Sequence, residues 1–295
     1  EMAAIEGVLH ARRTDPQVGE WLATAEPTDD QARAQLRLIR RSHERAVKIP
    51  ARLAQEIARV TSAAQGIWAA ARAAEDVAAF LPTLRRVIAL KREEAACLAG
   101  NRSLYDALID DYEPGATAAE LGRMFDSMRP RLAELRAAAL DSPHQPQPLD
   151  GHFGASGQLA LSRDLASAFG YDWNHGRLDL AVHPFSSGSG RDVRITTRVV
   201  ETDPFNCFYS TIHEVGHACY ELGVDPSYAL TPVGAGVSMG VHESQSRIYE
   251  NQIGRSRAFT GWLHGRMQGV FGDFGIADQE AFYRTVNRLK PGYIR

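Results

Sequence analysis

The amino-acid sequence predicts an all-α protein, mostly helical, with one small antiparallel β-hairpin. Three observations support this class: apolar residues recur at helical spacing along most of the chain, two capping boxes mark helix starts, and strand-like alternation is confined to one region. The chain has 295 residues, 44% of them hydrophobic, which is enough for one large core or two modest ones.

The first half of the chain, residues 1–140, is predicted to be a succession of helices. Residues 28–31 (Thr-Asp-Asp-Gln) and 117–120 (Thr-Ala-Ala-Glu) are capping boxes, in which side chains satisfy the free N–H groups of a helix start. Pro50 suits the first turn of a helix, where no backbone donor is needed. The predicted helices are 28–47, 50–77, 81–98 and 117–140.

A proline-rich connector at residues 142–148 is the predicted internal boundary, and it leaves residues 141–295 as the second part. The two parts are expected to form one continuous domain. Residues 177–182 and 192–199 alternate polar and apolar side chains, and the flexible stretch 186–190 is predicted to be the turn between them in an antiparallel hairpin. Helices are predicted at 205–222, 236–253, 258–270 and 279–289.

Composition excludes several classes of partner. A net charge of −3 favours neither nucleic acid nor an anionic membrane surface. The three cysteines fit neither a disulfide framework nor a cysteine-based zinc site, and the N-terminus has no signal pattern, so a cytoplasmic location is expected.

Glycines at 234–240 are one residue away from a dinucleotide fingerprint but have no strand–helix context, which favours a simple loop.

Residues 213–217, His-Glu-Val-Gly-His, form the pattern that carries chemistry. Positions four apart lie on one helix face, so His213 and His217 can reach one metal ion. The intervening Glu214 can then meet a water molecule activated by that metal. The alternative is a chance pair of surface histidines with a solvated glutamate.

A catalytic metal needs a third protein ligand. Glu221 lies one further turn along the same helix, roughly 6 Å past His217, which is too far for a shared metal. Glu243, on a separate predicted helix, is better placed, since two histidines and one glutamate are a recurrent catalytic zinc set. His242 points away from Glu243 and is expected to line the cleft or support a ligand. Ser246 and Glu250 follow Glu243 on the same face and are candidates to support the ligands.

Several short motifs, in a fixed order, resemble the thermostable-carboxypeptidase (M32) family of metallocarboxypeptidases. The resemblance extends over essentially the whole chain and is far more specific than the histidine pattern alone. The matching blocks are His183-Pro184-Phe185, Asp192-Val193-Arg194-Ile195-Thr196, His213-Glu214-Val215-Gly216-His217 and His242-Glu243-Ser244-Gln245, with residues 110–115 and 247–252 in further agreement.

The resemblance implies a metal-dependent carboxypeptidase that removes C-terminal residues from peptides, within an elongated helical cleft. It implies one divalent metal, zinc or cobalt, on His213, His217 and Glu243, with Glu214 as general base, and a homodimer. The small hairpin is expected beside the metal-binding helix, with residues 192–199 as an open edge strand facing the cleft. Further residues expected to line the cleft are His183, Asp192, Arg194 and Thr196.

Family members are expected to begin upstream of Glu1 and to continue past Arg295, so both family termini are expected to be lacking. Arg295 opens a block from which the substrate carboxylate contact is expected. The chain is therefore expected to bind metal, to trim peptides poorly and to self-associate. Two alternatives stay open at this point: a metalloendopeptidase or aminopeptidase with the same metal set, and an incomplete fragment acting as an interaction or dimerisation module.

Overall fold

The computed structural model describes residues 1–189 and 191–292, and it confirms a mostly helical chain with one small sheet. Most predicted helices are found close to their predicted bounds. None of the helices in these two ranges is both long and apolar enough to cross a membrane. The helices are α1 Met2–Arg13, α2 Pro16–Thr24, α3 Asp30–Lys48, α4 Ala51–Ala73, α5 Val77–Ala99, α6 Leu104–Tyr112, α7 Ala118–Leu140, α8 Ala155–Ala168, α9 Pro204–Leu222, α10 Met239–Arg247, α11 Arg257–Phe271 and α12 Gln279–Val286.

The chain divides into two compact units, residues 1–121 with 231–233, and residues 122–230 with 234–295. This division falls inside α7, whereas the sequence placed the boundary at the proline-rich connector. The single continuous domain stays a prediction.

The first unit is a group of packed helices in which α4 contacts both α1 and α5. Leu53, Val60 and Leu90 form a buried apolar cluster between α4 and α5. The capping box before α7 is confirmed, because Thr117 and Glu120 each accept a hydrogen bond from the other's backbone N–H, both at 3.2 Å. In the first predicted box, the side chain of Asp29 rather than Thr28 caps the helix, by accepting from the N–H of Ala32.

The core of the second unit surrounds α9, which is buried on two sides. Phe208 and Ile212 belong to an apolar cluster that also includes side chains of α8, α11 and α12. Val215 and Ala218 belong to a second cluster, which includes Val193 and Ile195 of the sheet. Packing on both sides fixes the rotation of α9 about its own axis.

The sheet has three strands in the order β1–β3–β2: β1 is Leu178–Leu180, β2 is Ser186–Ser189 and β3 is Asp192–Thr197. β3 packs against α9, so the hairpin does lie beside that helix. The strand pairing differs from the prediction, however. β1 runs parallel to β3, and β3 instead forms the antiparallel hairpin with β2, in residues predicted to be a turn.

The prediction that residues 192–199 form an open edge strand is wrong, because β3 is the central strand. Its Ile195 N–H donates to the carbonyl of Arg177 on one side, and its Thr196 N–H donates to the carbonyl of Phe185 on the other. The open edges of the sheet therefore belong to β1 and β2. The Ser-Ser-Gly sequence of β2 does not predict a strand, because glycine has low strand propensity and the segment has no apolar alternation.

Candidate metal centre

Helix α9 carries the two histidines one turn apart on the same face. Pro204 occupies its first turn, and Gly223 follows its last residue. The His213 and His217 side chains are 15% and 18% exposed, so they border a surface that ligands can reach without being fully solvated. The spacing predicted from the sequence is therefore realised on a regular helix.

Three ligand-type atoms converge beside this face. His213 Nε2 and His217 Nε2 lie 3.2 Å apart, and Glu243 Oε2 on α10 lies 3.5 Å from the first and 3.4 Å from the second. In the described parts of the chain, this is the one group of three such residues whose ligand atoms cluster in this way. Tetrahedral zinc with bonds of about 2.0–2.1 Å separates its ligand atoms by about 3.3 Å. The observed spacings fit that geometry.

The other ring nitrogen of His213 faces a buried carboxylate. Nδ1 lies 2.9 Å from Glu250 Oε2, in the π-helical segment Ile248–Ile253 that follows α10 directly. The acceptor-only carboxylate places the ring proton on Nδ1 and leaves Nε2 with its lone pair free. Burial opposes ionisation of Glu250, but His213 and Arg247 outweigh it and hold its pKa below the ordinary value.

The other ring nitrogen of His217 begins a chain of two further groups. Nδ1 lies 2.7 Å from Nδ1 of His242, and His242 Nε2 lies 2.7 Å from Glu221 Oε1. Because Glu221 only accepts when ionised, His242 donates to it and in turn accepts from His217. This assignment again leaves Nε2 of His217 with its lone pair free. Glu221 thus ends a supporting chain and does not reach the three-atom cluster.

The three converged atoms are all hydrogen-bond acceptors, and none of them carries a proton to donate to the others. Two imidazole lone pairs and one carboxylate oxygen within 3.5 Å repel one another unless a cation lies between them. Burial lowers the pKa of His217 to about 4, so at neutral pH a proton on this ring does not supply that cation. These two nitrogen atoms and one oxygen atom therefore suit a divalent metal ion as ligands.

Glu243 is held by its neighbours on α10. Ser246 is fully buried, and its hydroxyl donates to the Glu243 carbonyl at 2.7 Å, with Glu243 Oε2 a further 3.2 Å contact. Arg247 donates from Nε to Glu243 Oε1 at 2.9 Å. Burial opposes ionisation of Glu243, but His213 and Arg247 prevail and lower its pKa, which keeps it a carboxylate.

The contact between α9 and α10 depends on Gly216, within the histidine motif. A Cβ at this position would lie 2.7 Å from the Cα of Ser246, closer than backbone atoms tolerate. Only glycine lets α10 approach closely enough for Glu243 to meet the two histidines. The motif therefore contains a packing requirement in addition to its ligands.

Glu214 lies on a more buried side of α9 and is 6% exposed. Burial raises its pKa to about 7, against the opposing attraction of His213. The nearby backbone N–H of Ser186, on edge strand β2, lowers this pKa and offsets the effect of burial only in part. A carboxyl group with a pKa near neutrality can both take up and release a proton at physiological pH.

The residues expected to line the cleft have more varied surroundings. Asp192 and Arg194 are exposed and pair with each other in a two-bond fork of 2.9 and 2.8 Å. Thr196 is buried, and its hydroxyl accepts from the N–H of Phe185 and donates to its carbonyl, which joins β3 to the start of β2. His183 is exposed. Arg295 lies outside the described residues. The structure thus places none of these four described side chains within the three-atom cluster.

Two sets of contacts in the centre were not predicted: those of Arg247 and that of Glu221 with His242. Arg247 was visible in the sequence, four residues after Glu243 and three before Glu250, which is the spacing of side-chain neighbours on a helix. Glu221 and His242 are distant in sequence, and no local pattern indicates their contact.

Comparison with known proteins shows the family to which the chain is similar. A family model described as "Carboxypeptidase Taq (M32) metallopeptidase" matches residues 1–295. Thermostable carboxypeptidase 1 of Thermus thermophilus is 42% identical over 315 residues, which covers 100% of this chain and 61% of that protein. Carboxypeptidase 1 of Bacillus subtilis is 34% identical over 265 residues, covering 88% of this chain and 52% of that protein.

Solved structures show the same fold. The M32 carboxypeptidase from Deinococcus radiodurans R1 superposes with a TM-score of 0.83 at 38% identity, covering 96% of this chain and 58% of that one. Trypanosoma cruzi metallocarboxypeptidase 1 gives a TM-score of 0.85 at 36% identity, covering 96% and 59%. The chain thus spans between 52% and 61% of the length of these relatives. The chain belongs to the carboxypeptidase Taq (M32) family of metallopeptidases.

Proposed function

We propose that this chain carries the metal centre of a metal-dependent carboxypeptidase, which removes residues from the free C-terminus of peptides. The observation that supports the proposal is the convergence of His213, His217 and Glu243, three acceptor atoms at tetrahedral spacing. Family membership adds the reaction class, since the relatives are carboxypeptidases by name.

The three side chains would hold one divalent ion, zinc or cobalt, through His213 Nε2, His217 Nε2 and Glu243 Oε2. When bound, that ion would supply positive charge that polarises the peptide carbonyl and makes a water molecule easier to deprotonate. Glu250 holds the His213 ring in orientation, and His242 with Glu221 does the same for His217. Two rings fixed in this way need no reorganisation when the ion binds.

Glu214 is the proposed general base. It accepts the proton of the attacking water and passes it to the leaving amine, which the pKa of about 7 allows in both directions.

The test combines metal analysis with a peptide-trimming assay monitored by mass spectrometry. We expect about one zinc per chain and loss of residues from the C-terminal end only. Glu214→Gln should keep the metal and lower turnover by at least about 100-fold, the usual contribution of a general base. The control, Glu280→Gln on the exposed surface of α12, should change neither quantity.

Internal cleavage would favour an endopeptidase, and trimming from the other end an aminopeptidase. Loss of metal in Glu214→Gln would make this residue structural. A folded chain that binds no metal would contradict the proposal and favour an interaction module.

A homodimer and a cytoplasmic location also belong to the proposal. Helix α7 has no buried residue, and it offers a row of exposed apolar side chains on which a second copy could pack. These side chains are between 46% and 61% exposed: Met124, Phe125, Met128, Leu132 and Leu135. Sedimentation analysis gives the oligomeric state directly, and a monomer at every concentration would contradict the homodimer.

A further inference from the structure

The Arg247 guanidinium bridges two carboxylates of the metal centre. Its Nε donates to Glu243 Oε1 at 2.9 Å, and its Nη1 donates to Glu250 Oε2 at 3.0 Å. Glu250 Oε2 is the same oxygen that accepts from His213 Nδ1 at 2.9 Å. One planar side chain therefore contacts both the proposed third ligand and the group that orients the first.

The two oxygens of Glu243 have different partners. Oε2 faces His213 and His217, at 3.5 and 3.4 Å from their Nε2 atoms, whereas Oε1 is bonded to Arg247. With Oε1 held in this way, a single Glu243 oxygen is presented to the cluster. A rigid fork of donors is well suited to this task, because its two N–H groups have fixed directions.

Within residues 1–189 and 191–292, no other cation near these carboxylates duplicates the arrangement. Arg255 comes within 4.0 Å of Glu250 Oε1, which is beyond hydrogen-bond distance. Its Nη1 is bonded to the Val286 carbonyl at 2.8 Å, and its guanidinium lies over the Tyr209 ring at 4.3 Å. Arg255 is thus bonded to other groups. Of these two arginines, Arg247 is the one hydrogen-bonded to Glu243, through Oε1, while the Ser246 hydroxyl lies 3.2 Å from the other oxygen, Oε2.

We propose that Arg247 is a positioning residue of the metal centre, which fixes Glu243 as a one-oxygen ligand and fixes the Glu250–His213 pair at the same time. The inference rests on the proposed metal site. The inference goes beyond that site because it states that Arg247, which is not a metal ligand, controls how tightly the metal is bound.

Arg247 could act on the metal site through its charge alone or by positioning Glu243, and these two roles predict opposite effects on metal affinity. A positive guanidinium close to a divalent cation repels it, so a role through charge alone means that removing Arg247 tightens binding. A role in positioning means that removing it weakens binding, by about 10–100-fold as for other groups that orient ligands. The sign of the change therefore separates the two.

The experiment measures Zn²⁺ affinity by chelator competition for wild type, Arg247→Met and Arg247→Lys. Methionine keeps much of the apolar stem without charge, and lysine keeps the charge without the fork. We expect both variants to bind Zn²⁺ about 10–100-fold more weakly than wild type. Loading with Co²⁺ adds a second readout: release of Glu243 Oε1 should alter the visible absorption spectrum of the cobalt protein.

The matched controls are Arg284→Met and Arg284→Lys. Arg284 forms the same four-residue spacing with Glu280 on α12, with Nε to Oε1 at 3.1 Å, but contacts none of the centre. These controls should keep wild-type affinity and spectrum. Thermal unfolding of the metal-free proteins checks that the Arg247 variants fold. If Arg247→Met does not fold, Arg247→Lys, which retains the charge, provides the test.

Tighter or unchanged binding by Arg247→Met would overturn the inference, and so would wild-type affinity and spectrum in Arg247→Lys. Failure of the metal site itself gives a different pattern. In that case wild type and His213→Ala would bind Zn²⁺ equally, and the proposed function would fall together with the inference.

Discussion

At the scale of single residues, the two histidines of the centre are supported in different ways. His213 Nδ1 donates to an ionised carboxylate, Glu250, which is itself bonded to Arg247. His217 Nδ1 donates to the ring of His242, and a carboxylate follows only one step later at Glu221. Both arrangements fix the tautomer that leaves Nε2 free, which is the requirement for metal binding.

The support of His217 gives a test at this scale. In His242→Ala, the His217 ring loses its hydrogen-bond acceptor, so both its tautomer and its orientation become variable. We expect Zn²⁺ affinity to fall by about 10–100-fold, and His242→Gln, which keeps an acceptor oxygen, to recover part of the loss. Chelator competition measures both. His152→Gln, at an exposed loop position, is the control and should bind like wild type.

The opposite result is equally clear. If His242→Ala bound Zn²⁺ as tightly as wild type, the His217–His242–Glu221 chain would have no role in preparing the centre.

The sequence could predict those parts of the site that lie within single helices. His213 with His217, and Glu243 with Ser246 and Glu250, follow from helical spacing, because their separations are multiples of a turn. The same rule does not show how closely α9 and α10 approach each other. That distance depends on Gly216. In the sequence it is simply a residue of low helix propensity, and only the structure shows that it packs against the backbone of Ser246.

At the scale of elements, the sheet was predicted less well than the helices. The alternating residues of β1 and β3 were recognised, but two alternating segments do not reveal whether they run parallel or antiparallel. The serine and glycine residues of β2 predict a turn, so this strand is not apparent from the sequence. Its glycine is required by close packing, since a Cβ on Gly188 would lie 2.2 Å from the Asp192 carbonyl oxygen of β3. Tertiary contact overrode local propensity there.

The contact between α9 and α10 can be tested by adding one methyl group. In Gly216→Ala, the new Cβ meets the Ser246 backbone at 2.7 Å, so α10 must move and carry Glu243 away from the histidines. We expect the free energy of unfolding to fall by about 1–3 kcal/mol, as for other overpacked sites, and Zn²⁺ affinity to fall with it. Denaturant unfolding and chelator competition measure the two effects.

Gly265, on α11, is the matched control because a Cβ there has no neighbour within 4 Å. Gly265→Ala should raise stability by about 0.5–1 kcal/mol, since alanine loses less backbone entropy in a helix, and leave metal affinity unchanged. If Gly216→Ala were stabilised in the same way, the close approach of α10 would not control the centre.

At the scale of the whole molecule, the centre is assembled entirely within the second unit. α9, α10 and the π-helical segment after it supply His213, His217, Glu243 and Glu250, and all three segments lie in residues 122–230 or 234–295. The supporting groups Arg247, His242 and Glu221 belong to the same unit. A bound ion therefore joins α9 to the α10 region directly, whereas α4 and α5 of the first unit contribute no ligand.

Metal binding should consequently change local stability unevenly along the chain. An ion present at 100 times its dissociation constant stabilises the folded form by about 2.7 kcal/mol, and this free energy suppresses openings that break the centre. We expect Zn²⁺ to slow amide hydrogen exchange in α9 and residues 239–253, and to leave exchange in α4 and α5 nearly unchanged. Mass-spectrometric exchange with Zn²⁺ and with chelator measures this, and His213→Ala should abolish the difference. Equal protection of α4 and α9 in wild type would mean that the ion acts on the chain as a whole or binds elsewhere.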